Sequence, residues 1–205
     1  IWRSLSTRYL GQFPLYNPDI AELIDRASQT VEIFCDLPGY GVLSDRSSWL
    51  QIQQAIQRKT QQGVRVEVTV YGEQQREEII REQMEQPDGG LRSWLESAEK
   101  RRDLAVFLED YGGVESLEGL TPEKYLEVSL AAHRQIEVET FRRAQVSEVS
   151  GELPLYFWMI DRQEAIISIP IFSDHSTEYG FRTSDQSFIG ALTDIKSKRL
   201  RERGS

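Results

Sequence analysis

Hydrophobic residues are densest between Leu153 and Ile171, where two apolar runs flank the polar turn Asp161-Arg162-Gln163-Glu164. Tyr156, Phe157, Trp158, Ile160, Ile166, Ile167 and Ile169 are β-branched or aromatic, so the spacing predicts a hairpin with strands near 155–161 and 165–171. Both alternating sets of the first run, Leu155-Phe157-Met159 and Tyr156-Trp158-Ile160, are apolar. A strand with two apolar faces is expected inside a sheet covered on both sides.

Residues 1–16 read as an extended lead-in, with Trp2, Tyr9, Leu10, Phe13 and Tyr16 available to pack. Asn17-Pro18 predicts a helix start with Asn17 as N-cap, followed by the stripe Ile20, Leu23, Ile24 and Ala27. A strand is expected over 30–36, a Pro/Gly loop over 37–46, and a helix over 47–62 that Ser47 or Ser48 caps and Gly63 ends. Val64, Val66, Val68 and Val70 alternate with polar residues, which places a strand at 64–71 near a sheet edge. This α-β-α-β order favours parallel pairing.

Helical patterns follow over 73–86, from Leu91 with a phase slip near Arg101 to Asp103, and from the capping signal Thr121-Pro122 to about Gln145. A strand at 178–183 and a helix from Asp185, capped by Ser184, end the pattern. The expected architecture is α/β, a mostly parallel mixed sheet with helices on both faces. One domain over 17–203 is expected, with a helical insertion at about 73–145.

Charge narrows the partners. The net charge is −9 over 205 residues. Phosphate neutralisation needs cations, so nucleic acid is an unlikely partner on this balance. The basic run from Lys196 to Arg201 reads as a solvated last helical turn, favoured there by the helix dipole. Cys35 is the single cysteine and sits in an apolar strand, so it reads as a buried, inert thiol in a reducing compartment. No run approaches the ~18 apolar residues of a membrane span. The sequence starts at Ile1 rather than Met, which leads us to expect a cytoplasmic module of a larger chain, with any membrane contact made by a region outside it.

Candidate chemistry is sparse. Gly39 and Gly41 lie in the 37–46 loop but match no phosphate-binding spacing, so a structural turn is expected. His133 falls on an apolar helical stripe and reads as a core histidine. Asp174, His175 and Glu178 follow no metal-ligand spacing, so no metal and no cofactor is expected.

Four segments, in order, carry a family resemblance. They are Ile20 to Ala27 followed by Val31-Glu32-Ile33; Ile56 to Val66; Met159-Ile160-Asp161 followed by Ala165-Ile166-Ile167; and Tyr179 to Thr183 followed by a helix. In this order the chain resembles a half-unit of the phospholipase D superfamily. That family's motif is HxKxxxxD, with a Gly-Ser-x-Asn element on the next strand. Setting Asp161 on the motif Asp puts Pro154 at the His position and Tyr156 at the Lys position, with Ser168, Ile169 and Ile171 where Gly, Ser and Asn would stand. Pro has no titratable group, and a Tyr with an ordinary pKa of ~10 gives no cation at pH 7.

The resemblance therefore implies a pseudoenzyme: a non-catalytic domain that binds a protein or small-molecule partner through a surface around Asp36, Tyr40, Tyr156 and Trp158. Asp161 is left a structural role, accepting backbone N–H bonds two residues on in its turn. An alternative stays open, a phosphodiesterase or a phosphatidyl or nucleotidyl transferase using Asp36, Tyr40, Asp161 and His175. The resemblance also implies a two-fold homodimer burying Tyr156 or Trp158 near its axis. Against this stands a second reading, in which the helices at 73–145 cover that face within one chain.

Overall fold

The computed structural model describes residues 6–85, 90–171 and 174–202, the last starting with three residues described as backbone alone. Fourteen elements follow in order: β1 (Thr7–Gln12), α1 (Asn17–Asp25), β2 (Thr30–Phe34), α2 (Arg46–Gln61), β3 (Arg65–Tyr71), α3 (Glu73–Glu85), α4 (Leu91–Glu96), α5 (Ala98–Gly112), α6 (Pro122–Thr140), β4 (Gln145–Val149), β5 (Tyr156–Ile160), β6 (Glu164–Ile171), β7 (Asp174–Thr183) and α7 (Gln186–Glu202).

The seven strands form one sheet in the order β1-β7-β6-β5-β2-β3-β4. Only β2–β3 and β3–β4 are parallel. The pairs β1–β7, β7–β6, β6–β5 and β5–β2 are antiparallel. The expected α/β class and mixed sheet hold, but "mostly parallel" is corrected. The helical crossover after β2 makes the parallel part, whereas the C-terminal half is built from hairpins, which can only pair antiparallel.

β5 is the interior strand that its two apolar faces predicted, and all five residues are buried. Successive side chains point to opposite faces. Trp158 pairs with Ile33 of β2 and Ile166 of β6, on the face that α1 and α2 cover. Phe157 pairs with Phe34, and the two rings stack at 5.1 Å on the opposite face. That opposite face takes α7, whose Lys196 reaches both Glu32 and Glu67 at 2.7 Å. Lys196 is therefore buried and ion-paired, not part of a solvated turn.

Several boundaries differ from the sequence pattern, each for a local reason. The lead-in is extended, but Thr7–Gln12 is an edge strand on β7 rather than a packing tail. Gln145–Val149 is the other edge strand, where a helix was expected to end. Asn17 is the first helical residue of α1 and not its cap; its side-chain amide is buried without a hydrogen-bond partner. α2 is capped by Asp45, which accepts from Ser48 N–H at 3.1 Å. The phase slip expected near Arg101 falls at Ser97, which ends α4 and caps α5.

A candidate ligand site at the end of the sheet

The site forms where β2 ends and β5 begins. Tyr16 enters at the start of α1, Tyr40 from the loop after β2, Tyr156 from β5, Ser168 from β6 and Glu178 from β7. Gly180 of β7 makes room for Tyr16: a Cβ there would lie 2.4 Å from its ring. Tyr16 is fully buried as a result.

Three hydroxyl groups and one carboxylate meet there. Tyr40 Oη donates to Glu178 Oε2 at 2.5 Å, and Ser168 Oγ donates to the same oxygen at 2.5 Å. Tyr16 Oη donates to Ser168 Oγ at 2.7 Å and lies 2.8 Å from Tyr40 Oη. Each hydroxyl carries one proton, and this arrangement places all three. A fully satisfied buried network is rigid, and it leaves Glu178 Oε2 engaged rather than free to take a proton from a substrate.

Asp36 lies beside the network, just past β2. Its Oδ1 accepts from Leu37 N–H at 2.6 Å, and Tyr156 donates to the same carboxylate. Burial, with the Glu178 charge second, pushes its pKa up to about 7. Burial also raises Glu178, against the hydrogen bonds from Ser168, Tyr40 and Tyr16. Burial and nearby Glu178 raise Tyr16 and Tyr40, so both phenols stay neutral. Among the described residues the groups that support these carboxylates are neutral donors, not cations.

The structure separates the other candidates. Asp161 sits at the far end of β5, where its carboxylate accepts from Thr30 N–H at 2.8 Å, Gln29 N–H at 2.7 Å, and Ser28 N–H at 2.9 Å. Asp161 and Arg162 both have φ of 52°, and Gln163 N–H bonds Ile160 carbonyl at 2.9 Å, which makes a type I′ turn. Asp161 thus has the structural role expected of it, but its donors come from the α1–β2 turn rather than its own. Six residues of strand, about 20 Å at ~3.3 Å per residue, divide it from Asp36. The alternative set of Asp36, Tyr40, Asp161 and His175 is therefore not one site. The side chain of His175 lies outside the described residues. Pro154 is exposed at the edge of the site and contributes no functional atom.

Tyr156 and Trp158 do not form a surface. Their exposures are 9 % and 2 %, within a single chain. Tyr40 rests on Trp158 at 4.7 Å and meets Tyr156 edge-on at 5.9 Å. Gly39 lets α6 pack on this loop; a Cβ there would lie 2.8 Å from Ile136. The loop is the inner cover and α6 the outer one, so Trp158 is covered within one chain and no second copy is needed to bury it. His133, on α6, is 3 % exposed, and burial, with Arg76 second, lowers its pKa to about 3. It is neutral and placed in the core, as its stripe predicted.

Between the 37–44 loop and α4–α6 lies a cavity of about 590 Å³, reached by Asp36, Tyr40, Trp94, Tyr125, His133 and Glu178. This size suits a small molecule. Tyr16, Glu178 and this cavity were not assigned to the site from the sequence. Tyr16 and Glu178 are 162 residues apart, and no local spacing joins them. Among the described residues no three His, Cys, Asp or Glu side chains gather as a metal site, and no helix is long and apolar enough to cross a membrane.

No protein-family model matches the sequence, and no curated protein matches it. Solved structures do. The archaeal chromatin protein TrmBL2, described as showing a novel mode of DNA binding, overlaps at a TM-score of 0.50 with 10% identity, over 98% of this chain and 55% of that one. The chain therefore shares a fold with TrmBL2 and spans about half of its length. NucT from Helicobacter pylori overlaps at 0.47 with 12% identity, over 95% of both chains. Nuc from Salmonella typhimurium, a phospholipase D family member, overlaps at 0.45 with 9% identity, over 96% of this chain and 94% of that one.

Proposed function

We propose that this chain is a non-catalytic phospholipase D-like domain that binds a small-molecule ligand on behalf of a larger protein. The observation that carries the reading is the make-up of the centre. The positions aligned with the motif His and Lys are an exposed Pro154 and a buried Tyr156. Tyr156 is raised by burial, with Asp36 second, so it supplies neither cation nor anion at neutral pH. Covalent catalysis needs a nucleophile that can be activated, and proton transfer alone contributes ~10²–10⁴-fold. A cavity beside a spent network supports binding without turnover.

The cover over Tyr156 and Trp158 moves the binding surface from the motif face to the cavity behind the 37–44 loop. A charge of −9 supports a ligand other than nucleic acid, and a mobility-shift assay at low salt tests that exclusion. The main test is turnover of bis(4-nitrophenyl) phosphate and of phospholipid vesicles by the purified protein. No turnover is expected. Turnover lost in His133→Ala or His175→Ala overturns the reading.

A further inference from the structure

The cavity between the 37–44 loop and α4–α6 is lined by more carboxylates than cations. Asp36 and Glu178 form its inner end, and Glu99 and Asp103 of α5 stand with Lys100 along its rim. Four carboxylates against one ammonium make it an anionic site. A phosphate-binding site needs the opposite balance. Glu178 lies close enough to Asp36 for its charge to raise the Asp36 pKa, and neutral donors are what stabilise the two ionised forms. Burying like charges without a counter-charge is costly, and an incoming cation would relieve that cost.

A second observation points to a ligand independently. His133 lines the same cavity, is 3 % exposed, and its Nδ1 has no hydrogen-bond partner. Nδ1 lies 3.2 Å from where a Gly39 Cβ would be, so it faces the 37–44 loop at its glycine, where no side chain partners it. A neutral imidazole nitrogen without a partner can accept from an N–H donor. Aromatic walls complete the site. Trp94 and Tyr125 meet edge-on at 6.3 Å, and Tyr40 meets Phe13 at 5.2 Å. Ring faces attract cations and offer apolar area to the body of a ligand.

We infer that this cavity binds a small organic molecule carrying a protonated amine, with its ammonium group at Asp36 and Glu178 and its apolar body against the Trp94–Tyr125 pair. The ammonium supplies the missing counter-charge, and its N–H groups supply donors for the carboxylates and for His133. The inference rests on the ligand-binding reading above and names its ligand class.

The test is calorimetric titration of the wild-type protein at pH 8 with three probes of similar shape: phenethylamine, phenethyl alcohol and phenyl phosphate. The amine is expected to bind at least tenfold more tightly than the alcohol, and the phosphate not at all. Asp36→Asn is expected to weaken the amine about tenfold and leave the alcohol unchanged. Chemical-shift changes on adding the amine are expected at Trp94 and His133. Equal binding of amine and alcohol, tighter binding of the phosphate, or an amine dissociation constant weaker than about 10 mM would overturn the inference. The amine–alcohol comparison uses the wild type, so it stands even where Asp36→Asn fails to fold. Phosphodiester turnover is read on the same preparation. Turnover removes the non-catalytic reading; its absence together with amine-blind binding removes this inference alone.

Discussion

Tyr40 Oη donates to Glu178 Oε2 at 2.5 Å, which ties the loop after β2 to a strand 138 residues further on. The bond closes the loop over Trp158 and fixes one wall of the cavity. Tyr40→Phe keeps the ring packing and removes this donor from a partly buried carboxylate. The expected cost is about 1–3 kcal/mol. Urea denaturation checks it, and Phe13→Leu, which lacks the hydrogen bond, serves as a packing control.

Asp36 makes stability depend on pH in a defined window. Its folded pKa is raised from 3.8 to about 7 by burial and then by Glu178. The folded state therefore holds this proton more tightly than the unfolded chain. Stability from this group is greatest at low pH, falls as pH rises from about 4 to about 7, and is level above that. Glu178, also raised, acts in the same sense. Asp161 and Glu32, both lowered, act in the opposite sense and below about pH 4. Denaturation of wild type and Asp36→Asn from pH 4.5 to 8 is expected to show the downward slope shrinking in the variant.

Asp161 is expected to matter for stability and not for binding. Burial acts to raise its pKa, but N–H bonds from Thr30, Ser28 and Gln29 outweigh that and hold it below the usual carboxylate range. Asp161→Asn keeps a residue that tolerates the φ of 52° but turns an amide NH₂ toward backbone donors. A loss of about 1–3 kcal/mol in thermal or urea unfolding is expected, with amine affinity unchanged.

Lys196 holds α7 to the sheet. Glu32 is 2 % exposed and pairs with Lys196 at 2.7 Å and Arg162 at 2.9 Å. Burial would raise Glu32, yet these two cations hold it low. Lys196→Ala leaves a buried carboxylate short of its main partner, at a cost of about 3–5 kcal/mol. Adding Glu32→Gln and Glu67→Gln to Lys196→Met is expected to recover much of that loss, as measured by urea denaturation.

The parts of the fold that were legible are those with strong local patterns. β5 announced itself by two apolar faces, and α1, β2, α2 and β3 by stripes and alternation. β1 and β4 were not legible as strands because edge strands are half-exposed: Thr7–Gln12 and Gln145–Val149 mix polar and apolar residues without a buried run. The direction of pairing was misjudged because α-β-α-β order describes only β2 and β3. Of the site, Asp36 and Tyr40 could be picked out from the sequence, because both lie in the loop that follows the β2 strand. Ser168 was set only at the motif's Gly position, although it is a fully buried member of the network. Tyr16 and Glu178 needed the tertiary structure, since only the pairing of β1, β6 and β7 brings residues so far apart in sequence together.

The central claim is that this centre does no phosphoryl chemistry. The direct measurement is a search for the covalent intermediate such chemistry would leave. The protein is incubated with labelled phosphodiester, quenched under alkaline conditions, and mapped by mass spectrometry at His133 and His175, the two histidines of the chain. The expected result is no phosphohistidine at either residue. A modified histidine whose label turns over with product formation would contradict the account.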